Sequence, residues 1–321
     1  MNFTIDITPE EKEILYERFD KIFETNQLTE GKYTEEFESK FSSYIGAKAV
    51  ATSSWTGAAM AILEFLEVRG KTILLPSNTF MATPLVALKL GAKIEFVDCN
   101  KYDLCMSVED LEIKIKKFKP KVVIVVHIGG HIAFDILDIV SLCKKHNIAL
   151  IEDCAHAHGA EYRGKKAGTF GIAGAYSFYA TKTITTGEGG MLVTNNNDLI
   201  EYAKRYRNYG KFDYKVHGLN FRINEFTAAL GIWQIEKLSK ILEWKHMKAK
   251  KYDKIHSKRL ILPKSMKSGY YKYIVFEPID NSTGKVYDQP CHKILCHKCE
   301  LPNTDWVAKN HWCVPLFYKG E

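Results

Sequence analysis

A lysine in an unusual setting is the strongest chemical signal in the sequence. Lys182 lies in "SFYATKTITTGEGG" (177–190), among small and hydroxylated residues and just before a cluster of glycines. The aromatic-rich run "GAYSFY" (174–179), which we predict as a strand, ends three residues before it. A lysine in a partly desolvated site has a lowered pKa, so more of it is the free amine that attacks a carbonyl to form a Schiff base. Lys182 is therefore a candidate for covalent chemistry with an aldehyde.

An aspartate at the end of another predicted strand is the second candidate. Asp153 closes the apolar run "IALIED" (148–153). In open α/β sheets, ligands bind at the carboxyl ends of the strands, and a carboxylate there can pair with a cationic ring nitrogen. The same residue could equally be the N-cap of a following helix. Taken alone, Asp153 leaves both interpretations open.

A small-residue turn that runs into an alanine-rich pattern, "SSWTGAAMAILEFL" (53–66), is the third candidate. The unpaired N–H groups and the positive dipole end of such a helix make an anion site. Ser54 and Thr56 would add hydroxyl donors. A plain capped core helix is the alternative, and by itself it is the commoner outcome.

Together these features describe a site for pyridoxal phosphate. The cofactor needs a lysine for its aldehyde, an acidic partner for its pyridinium nitrogen and donors for its phosphate. Ser177, inside the predicted strand before Lys182, is a further candidate for the phosphate. The conjunction is far more specific than any of its parts.

The elements that position these residues follow from hydrophobic periodicity. Between about residues 45 and 200, short apolar runs alternate with amphipathic helical patterns, which is typical of an α/β domain with a largely parallel sheet. A long helical pattern over 224–258 leads out of this domain, and roughly the last sixty residues should form a small α+β element. The predicted strands are 71–76, 93–98, 121–126, 148–153, 174–179 and 189–194.

Composition narrows the class of protein. The 321 residues are 46% hydrophobic and 26% charged, which suits one large domain with a smaller one and disfavours disorder. The net charge of +7 comes from scattered lysines, and we interpret the denser group at 237–258 as a solvated helix face, so we expect no nucleic-acid partner. The N-terminal residues lack a signal-peptide pattern, and no stretch of about 18 apolar residues occurs, so we expect a cytoplasmic protein with no membrane partner. The eight cysteines suit reduced thiols.

Several histidines and cysteines remain ambiguous. The segment "PCHKILCHKC" (290–299) offers possible zinc ligands, but its spacing matches no standard paired site, so we expect an unpaired loop and no metal. His292 could instead approach a substrate. His127 and His131, which follow the strand at 121–126, could line a pocket or be satisfied structural residues.

Along nearly its whole length, the sequence resembles the DegT/DnrJ/EryC1/StrS family of sugar aminotransferases, which are fold-type I pyridoxal-phosphate enzymes. The segments "EDCAHAHGA" (152–160) and "SFYATK…GEGGM" (177–191) are close to diagnostic of that family. The resemblance implies a large cofactor-binding domain over residues 1–240, with a mainly parallel seven-stranded sheet flanked by helices. It also implies a small, shortened C-terminal α+β domain over residues 241–321.

By position, the resemblance assigns roles around the cofactor's ring. Lys182 would carry pyridoxal 5'-phosphate covalently, and Asp153 would pair with the pyridinium nitrogen. Phe80 in "NTFMAT" would lie on one face of the ring, and His156 would sit near the phenolic oxygen. Lys182, Asp153 and His156 are the implied catalytic residues.

The resemblance also assigns the phosphate site. Ser177, Thr56 and the backbone at Trp55, with the Ser54 hydroxyl, would hold the phosphate. Asn220 in "GLNFR" would reach the phosphate of the neighbouring subunit, which implies a homodimer with shared active sites. Trp55 is a departure, because the family usually has a Ser-Gly-Thr turn at this point.

The implied activity is transfer of an amino group from L-glutamate to a nucleotide-linked keto sugar, in the biosynthesis of surface polysaccharide or glycan precursors. A related dehydratase has histidine in place of the lysine, so Lys182 favours transamination over dehydration. The alternative from another class is a non-catalytic regulatory protein that keeps the fold. Retention of Lys182, Asp153 and Ser177 together argues against that alternative.

Overall fold

A computed structural model describes residues 7–318 of the chain; the first six residues of the N-terminal segment discussed above lie outside this range. The helices of the described chain are α1 (Pro9–Thr25), α2 (Lys32–Ile45), α3 (Trp55–Phe65), α4 (Ala82–Lys89), α5 (Val108–Phe118), α6 (Ile136–Lys145), α7 (Asn197–Tyr206), α8 (Glu225–Asp253), α9 (Cys291–Ile294) and α10 (Pro302–Lys309). The strands are β1 (Lys48–Thr52), β2 (Thr72–Pro76), β3 (Lys93–Val97), β4 (Val122–Val126), β5 (Ala149–Asp153), β6 (Glu161–Tyr162), β7 (Lys165–Lys166), β8 (Ala173–Ser177), β9 (Gly190–Thr194), β10 (Met266–Lys267), β11 (Tyr273–Val275) and β12 (Trp312–Val314).

A seven-stranded sheet in the order β1-β9-β8-β5-β4-β2-β3 forms the centre of the molecule. The strand β9 pairs antiparallel with both β1 and β8, and the other pairings are parallel. The predicted α/β fold with a mainly parallel seven-stranded sheet is confirmed. The six predicted strands all occur, and the seventh, β1 ("KAVAT"), was missed because its short alanine-rich run carries little strand propensity.

Helices cover both faces of this sheet. Alternate residues of β4 show the arrangement: Val123 and Val125 pack into one apolar cluster with α2, α5, α6 and α8, whereas Val122 and Ile124 pack into another with α3, α4 and α7. Successive side chains of a strand point to opposite faces, and strands buried on both faces read as continuous apolar runs. The sequence "VVIVV" of β4 is buried at every position for this reason.

The end of β8 differs from the prediction. The strand stops at Ser177, two residues earlier than expected, because the chain turns away there: the backbone N–H of Tyr179 donates to Ser177 Oγ (3.3 Å), and the N–H of Lys182 donates to the Tyr179 carbonyl (2.9 Å). Lys182 therefore lies five residues beyond the strand, on a turn at the edge of the sheet.

A buried carboxylate anchors the long helix α8. Glu225, in its first turn, accepts hydrogen bonds from the backbone N–H groups of Gly31, Tyr33 and Thr34 at 2.8 to 3.1 Å, and so satisfies amides at the start of α2. The two helices pack together, and Gln234 of α8 accepts a hydrogen bond from the N–H of Thr185 (2.9 Å), three residues after Lys182.

The C-terminal part is joined to the sheet domain by strand pairing. The strands β11 and β12 form a two-stranded sheet, and β10 pairs with β6 in a three-stranded sheet with β7. The predicted boundary at residue 240 falls inside α8, so this helix would belong to both parts. The division into two domains stays a prediction. Between residues 7 and 318, no helix is both long and apolar enough to cross a membrane.

Candidate active site

A cavity of about 1280 Å³ lies at the carboxyl ends of three neighbouring parallel strands. Val126, Asp153 and Ser177, the last residues of β4, β5 and β8, all line it. This is the edge at which ligands bind in open α/β sheets. Eight residues that the sequence selected line the same cavity: Ser54, Trp55, Thr56, Phe80, Asp153, His156, Ser177 and Lys182.

The amine of Lys182 faces an aromatic wall. Its Nζ lies 5.1 Å from the centre of the Tyr271 ring. Burial lowers the pKa of Lys182 to about 8; the carboxylate of Asp153 opposes this shift, and the charge of Lys272 adds to it. A larger fraction of the neutral, nucleophilic amine is therefore present near neutral pH than for a lysine in water.

Asp153 is held by two hydrogen bonds at the end of β5. Thr83 Oγ1, from the first turn of α4, donates to Asp153 Oδ2 (2.9 Å), and the Ala155 N–H donates to Oδ1 (3.0 Å). Burial raises the pKa of this carboxyl group, and both hydrogen bonds act against that shift. The N-cap interpretation is wrong, because no helix begins between Asp153 and Asn197.

His156 is sandwiched between two tyrosines. Its ring stacks on Tyr271 with a centroid separation of 4.1 Å and lies 5.9 Å from Tyr287. Its Nε2 lies 3.4 Å from the Tyr287 hydroxyl oxygen, and its Nδ1 is buried without a hydrogen-bond partner in the described chain. Burial, with the charges of Lys182 and Lys272, holds the pKa of His156 well below its usual range, so the ring is neutral.

The start of α3 forms an anion cradle, which we define as residues 54–56 with Ser177. Ser54 caps the helix, its Oγ accepting from the Gly57 N–H (3.3 Å), and the N–H groups of Trp55 and Thr56 lie in the first turn, where a helix supplies no acceptors. Ser177 pairs with Gly190 across β8 and β9. A Cβ added to Gly190 would lie 2.3 Å from the Ser54 carbonyl carbon and oxygen, so only glycine lets β9 approach this closely.

These groups fit pyridoxal phosphate on features of the structure itself. The cradle offers backbone and hydroxyl donors for a phosphate, Asp153 offers a buried carboxylate for a ring nitrogen, and Lys182 offers an amine with a lowered pKa for the aldehyde. The buried Nδ1 of His156 has no hydrogen-bond partner among residues 7–318. A flat, polar ligand beside His156 would supply the missing hydrogen-bond partner.

Asn220 stands apart from the other selected residues. It does not line the cavity; it is exposed, and its Oδ1 accepts a hydrogen bond from the backbone N–H of Arg222 (3.2 Å). Its neighbour Phe221 contacts the residue just before the cradle in the same chain, because the Phe221 carbonyl accepts a hydrogen bond from the Ser53 N–H (2.8 Å). The segment therefore runs beside the cradle, whereas the Asn220 side chain is exposed and does not line the cavity.

The sequence missed several cavity residues that come from distant segments. Tyr271, Lys272 and Tyr287 belong to the C-terminal part, and Lys245 lies on α8. The buried Lys245 Nζ donates to the Tyr270 carbonyl at 2.9 Å. No local motif marks these residues. The prediction of a solvated lysine face on α8 is thus wrong for Lys245, although most of that group is exposed or half-buried.

The two ambiguous histidines are structural. The Ala133 N–H donates to His127 Nδ1 (3.2 Å), so His127 Nε2 carries the proton and donates to Glu152 Oε2 (2.9 Å). His131 Nε2 donates to the Asp103 carbonyl (2.9 Å). Both are buried, and neither lines the cavity.

The segment 290–299 packs against the end of β2. Cys291 Sγ donates to the Thr79 carbonyl (3.1 Å), and Ser77 Oγ and His292 Nδ1 share a hydrogen bond (2.7 Å). His292 does not line the cavity, so the suggestion that it approaches a substrate finds no support in the described residues. Within residues 7–318, the groups with metal-ligand geometry lie elsewhere: Asp103, Cys105 and His131, and His127, Glu152 and Cys154. These groups are engaged in protein hydrogen bonds.

Curated relatives point to amino-sugar chemistry. The GDP-perosamine synthase of Escherichia coli O157:H7 is 32% identical over 274 residues, which cover 83% of this chain and 74% of that protein. The GDP-perosamine synthase of Vibrio cholerae is 37% identical over 222 residues, covering 67% of this chain and 60% of the relative. A UDP-4-amino-4,6-dideoxy-N-acetyl-beta-L-altrosamine transaminase of Campylobacter jejuni (strain 81-176) is 38% identical over 237 residues, covering 71% and 62%. The matched regions thus span about 60% of the length of two of these three relatives.

Solved structures and a family model agree with these relatives. Helicobacter pylori PseC, an aminotransferase involved in the biosynthesis of pseudoaminic acid, superposes with a TM-score of 0.85 at 27% identity, covering 96% of this chain and 91% of that one. An aminotransferase from Brucella abortus gives a TM-score of 0.86 at 26% identity, with 95% and 90% covered. The model of the DegT/DnrJ/EryC1/StrS aminotransferase family matches residues 9–279. The chain therefore belongs to the DegT/DnrJ/EryC1/StrS aminotransferase family, a family of sugar aminotransferases that depend on pyridoxal phosphate.

Proposed function

We propose that this protein transfers an amino group from L-glutamate to the keto group of a nucleotide-linked sugar, with pyridoxal phosphate held covalently by Lys182. The observation that carries the proposal is the convergence of Lys182 and Asp153 on one cavity, from the ends of two adjacent parallel strands. A Schiff-base lysine and a buried carboxylate are what this cofactor requires of its protein.

When bound, pyridoxal phosphate supplies an electron sink for the pair of electrons left by a breaking C–H bond. Asp153 would hold a proton on the ring nitrogen by its negative charge, and Thr83 would keep that carboxylate oriented and ionised through the 2.9 Å hydrogen bond. The anion cradle would hold the phosphate at the start of α3. Phe80, which is 64% exposed at the cavity wall, would cover one face of the ring.

Lys182 would also move a proton. Its charge acts on the Asp153 carboxyl, and its lowered pKa suits exchange of a proton near neutral pH. His156, kept neutral by burial, would accept or donate a hydrogen bond through Nδ1 without adding a second positive charge beside the amine.

An excess of lysines over acidic residues in the cavity supports an anionic substrate, with Lys237 paired to Glu11 (2.6 Å) and the pKa values of Lys182 and Lys245 lowered by burial. Asp153 and Glu188 are the acidic residues among the described cavity-lining side chains, and they face five lysines. An excess of positive charge in a concave site attracts and retains phosphate groups. A volume of about 1280 Å³ leaves room for a large ligand. The lysines are Lys182, Lys237, Lys245, Lys272 and Lys285.

Exposed apolar side chains beside Asn220 support a homodimer with shared active sites. Tyr209, Phe212, Tyr214 and Leu219 are 47%, 90%, 61% and 49% exposed, and they lie within one loop that leads to Asn220. A concentration of large exposed apolar side chains marks an association surface. In the proposed dimer, Asn220 reaches the phosphate of the partner's cofactor, in keeping with its position outside the cavity of its own chain.

The test is turnover of a panel of nucleotide-linked keto sugars. Purified protein is loaded with pyridoxal phosphate and incubated with L-glutamate and each GDP-, UDP- or dTDP-linked keto sugar, and release of 2-oxoglutarate is followed. We expect release with at least one sugar, together with loss of the visible absorbance of the bound cofactor when glutamate is added alone. Lys182→Ala is the matched control and should release none. Absence of any spectral response to glutamate would favour the non-catalytic alternative, whereas loss of water from the sugar without 2-oxoglutarate would favour dehydration.

A further inference from the structure

We propose that Lys272 is a positioning residue for Lys182: beside the ring of Tyr271, its positive charge disfavours a second charge on the Lys182 amine and so keeps that amine able to attack a carbonyl. The inference rests on the proposed function, because it concerns how the same lysine reacts. A neighbouring cationic group is one of the means by which proteins activate a lysine as a nucleophile.

The amines of the two lysines lie over one aromatic ring. The Nζ atoms of Lys182 and Lys272 are each 5.1 Å from the centre of the Tyr271 ring, so they cannot lie farther apart than twice that distance. Both residues line the cavity, although Lys182 follows β8 and Lys272 immediately precedes β11. At the largest separation that the shared ring allows, two unit charges in a partly solvated protein site change each other's pKa by about one unit.

The ring of Tyr271 is held by contacts on the side of Lys182. It stacks on His156 with a centroid separation of 4.1 Å, and its hydroxyl oxygen shares a hydrogen bond with Oγ1 of Thr181 (3.2 Å), the residue before Lys182. Burial raises the pKa of Tyr271, so the ring beside the two amines is uncharged. The turn that carries Lys182 is thereby tied to the segment that carries Lys272.

The backbone at Lys272 is fixed by a glycine turn that follows β4. The Lys272 N–H donates to the Gly129 carbonyl (2.8 Å). The next residue, Gly130, has a φ of +103°, and a Cβ there would lie 2.5 Å from the backbone nitrogen of Tyr271, so only glycine lets the two segments approach this closely. Lys272 therefore extends from a fixed point at the edge of the sheet where β4 ends.

The other groups around Lys182 add no second cation beside it. Burial lowers the pKa of Lys182; the carboxylate of Asp153 opposes that shift, and Lys272 strengthens it. Burial also holds the pKa of His156 well below its usual range and lowers that of His158 to about 3, so both rings are neutral. The other charged side chains of the described chain that line the cavity are Glu188, Lys237, Lys245 and Lys285.

A series of charges at position 272 is the decisive test. Lys272→Arg keeps the charge, Lys272→Met removes it and Lys272→Glu reverses it. The apo-protein is labelled with a trace of acetic anhydride across pH, and acetylation of Lys182 is followed by mass spectrometry, since only the neutral amine reacts. From a wild-type midpoint at about 8, we expect no change for Lys272→Arg and rises of about one and two pH units for Lys272→Met and Lys272→Glu. At pH 7, acetylation of Lys182 in Lys272→Met should be slower by about 10-fold.

Lys285→Met is the matched control, because it removes the charge of another lysine from the C-terminal wall of the cavity. The Lys285 Nζ donates to the carbonyls of Lys309 (2.8 Å) and His311 (2.7 Å), and its charge does not contribute to the lowered pKa of Lys182. The midpoint for acetylation of Lys182 in the apo-protein should therefore keep its wild-type value.

A wild-type midpoint in Lys272→Met would overturn the inference. An equal rise in all three variants at position 272 would do the same, because a loosened wall exposes the Lys182 amine whatever charge replaces Lys272. The labelling needs no cofactor. A midpoint that follows the charge, in a protein that does not react with pyridoxal 5'-phosphate, would therefore overturn the proposed function and leave this inference standing. Release of 2-oxoglutarate by a protein whose midpoint ignores the charge at position 272 would refute this inference alone.

Discussion

Burial pushes Lys182 and Asp153 toward their neutral forms, and the charge of each opposes the shift in the other. The pKa of Lys182 falls to about 8 because the amine is desolvated, and Asp153 limits the fall; the pKa of Asp153 rises because the carboxyl is desolvated, and Lys182 limits the rise. The two groups are therefore coupled, and removing one changes the titration of the other.

We expect Asp153→Asn to lower turnover by about 100-fold or more, on the scale of other electrostatic deletions in buried sites. The amide keeps the shape of the side chain but cannot hold a proton on a ring nitrogen by charge. Steady-state kinetics and cofactor content are measured together. Normal turnover with normal cofactor content would show that the carboxylate has only a structural role.

The pH dependence of cofactor attachment reports on Lys182. Only the neutral amine reacts with an aldehyde, so the rate at which the apo-protein binds pyridoxal phosphate covalently should rise with pH and level off above about 8. In Asp153→Asn the midpoint should move to lower pH, because the carboxylate that raises the pKa of Lys182 is gone. The measurement is stopped-flow absorbance across pH, and a midpoint near the ordinary value of 10.5 would contradict the environment described for this amine.

At the scale of elements, α8 carries a lysine into the wall of the cavity. Lys245 is 5% exposed, and its Nζ donates to the carbonyls of Tyr270 (2.9 Å) and Leu316 (3.5 Å). Burial lowers its pKa to about 7, and Lys272 contributes. Protonation of Lys245 in the folded protein therefore lowers the free energy of unfolding.

The sign of that effect gives a prediction for Lys245→Met. Between pH 7 and 10.5 the unfolded chain holds a proton that the folded chain lacks, so the free energy of unfolding of the apo-protein should rise with pH across this window. The contribution is at most about 1.4 kcal/mol per pH unit. Lys245→Met should flatten the slope, and Lys250→Met, an exposed change on the same helix, should not. The free energy of unfolding is measured by urea unfolding at several pH values. An identical dependence on pH in wild type and Lys245→Met would contradict the burial argument.

The contact between β9 and the start of α3 gives a prediction for Gly190→Ala. The new Cβ would lie 2.3 Å from the Ser54 carbonyl group, so the cradle must shift. We expect a loss of about 1–3 kcal/mol in the free energy of unfolding and weaker binding of pyridoxal 5'-phosphate. Gly70→Ala is the control, since a Cβ there meets nothing within 4 Å and costs only the strain of its positive φ. Unchanged cofactor affinity in Gly190→Ala would show that the turn adapts without disturbing the site.

At the scale of the whole molecule, the cavity is closed by parts far apart in the chain. The ends of the sheet form its floor, α8 forms one wall, and Tyr271, Tyr287 and Leu316 of the C-terminal part form another. Asn220 lies outside this enclosure, and the proposed dimer gives it a place in the partner's site. Since a ligand that binds only the assembled form stabilises that form, cofactor and dimer should be linked by mass action.

Mixing an impaired variant with an inactive one tests the shared site. Asn220→Ala should lower activity by about 10-fold, as expected for loss of a hydrogen bond to a charged phosphate, and Lys182→Ala should be inactive. In a mixed dimer one site carries both changes and the other carries neither, so activity per Lys182 should recover on mixing once exchange of subunits is verified. Impairment of Asn220→Ala with no recovery would place the residue in its own chain's site. Near-full activity of Asn220→Ala alone would remove it from the phosphate site.

Much of the fold and part of the site could be predicted from the sequence because their signals are local. Apolar runs with turn residues between them indicate strands and helices over a few residues, and six of the seven sheet strands were found within one or two residues at their ends. Lys182, Asp153 and the turn at Ser54 were selected because each follows or precedes such an element. Residues at the carboxyl ends of parallel strands meet at one edge of the sheet, so the sequence alone indicated that they converge.

Only the tertiary structure decided which other side chains line the cavity with Lys182, Asp153 and Ser54. Tyr271 and Tyr287 stack on His156 from segments more than 100 residues away, and no local spacing encodes that contact. The fate of ambiguous residues was settled in the same way: His127 is paired with Glu152, and Lys245 is buried although the other lysines of α8 are exposed or half-buried. Burial, pKa and hydrogen-bond partners depend on long-range packing, whereas periodicity reports only the neighbours along the chain.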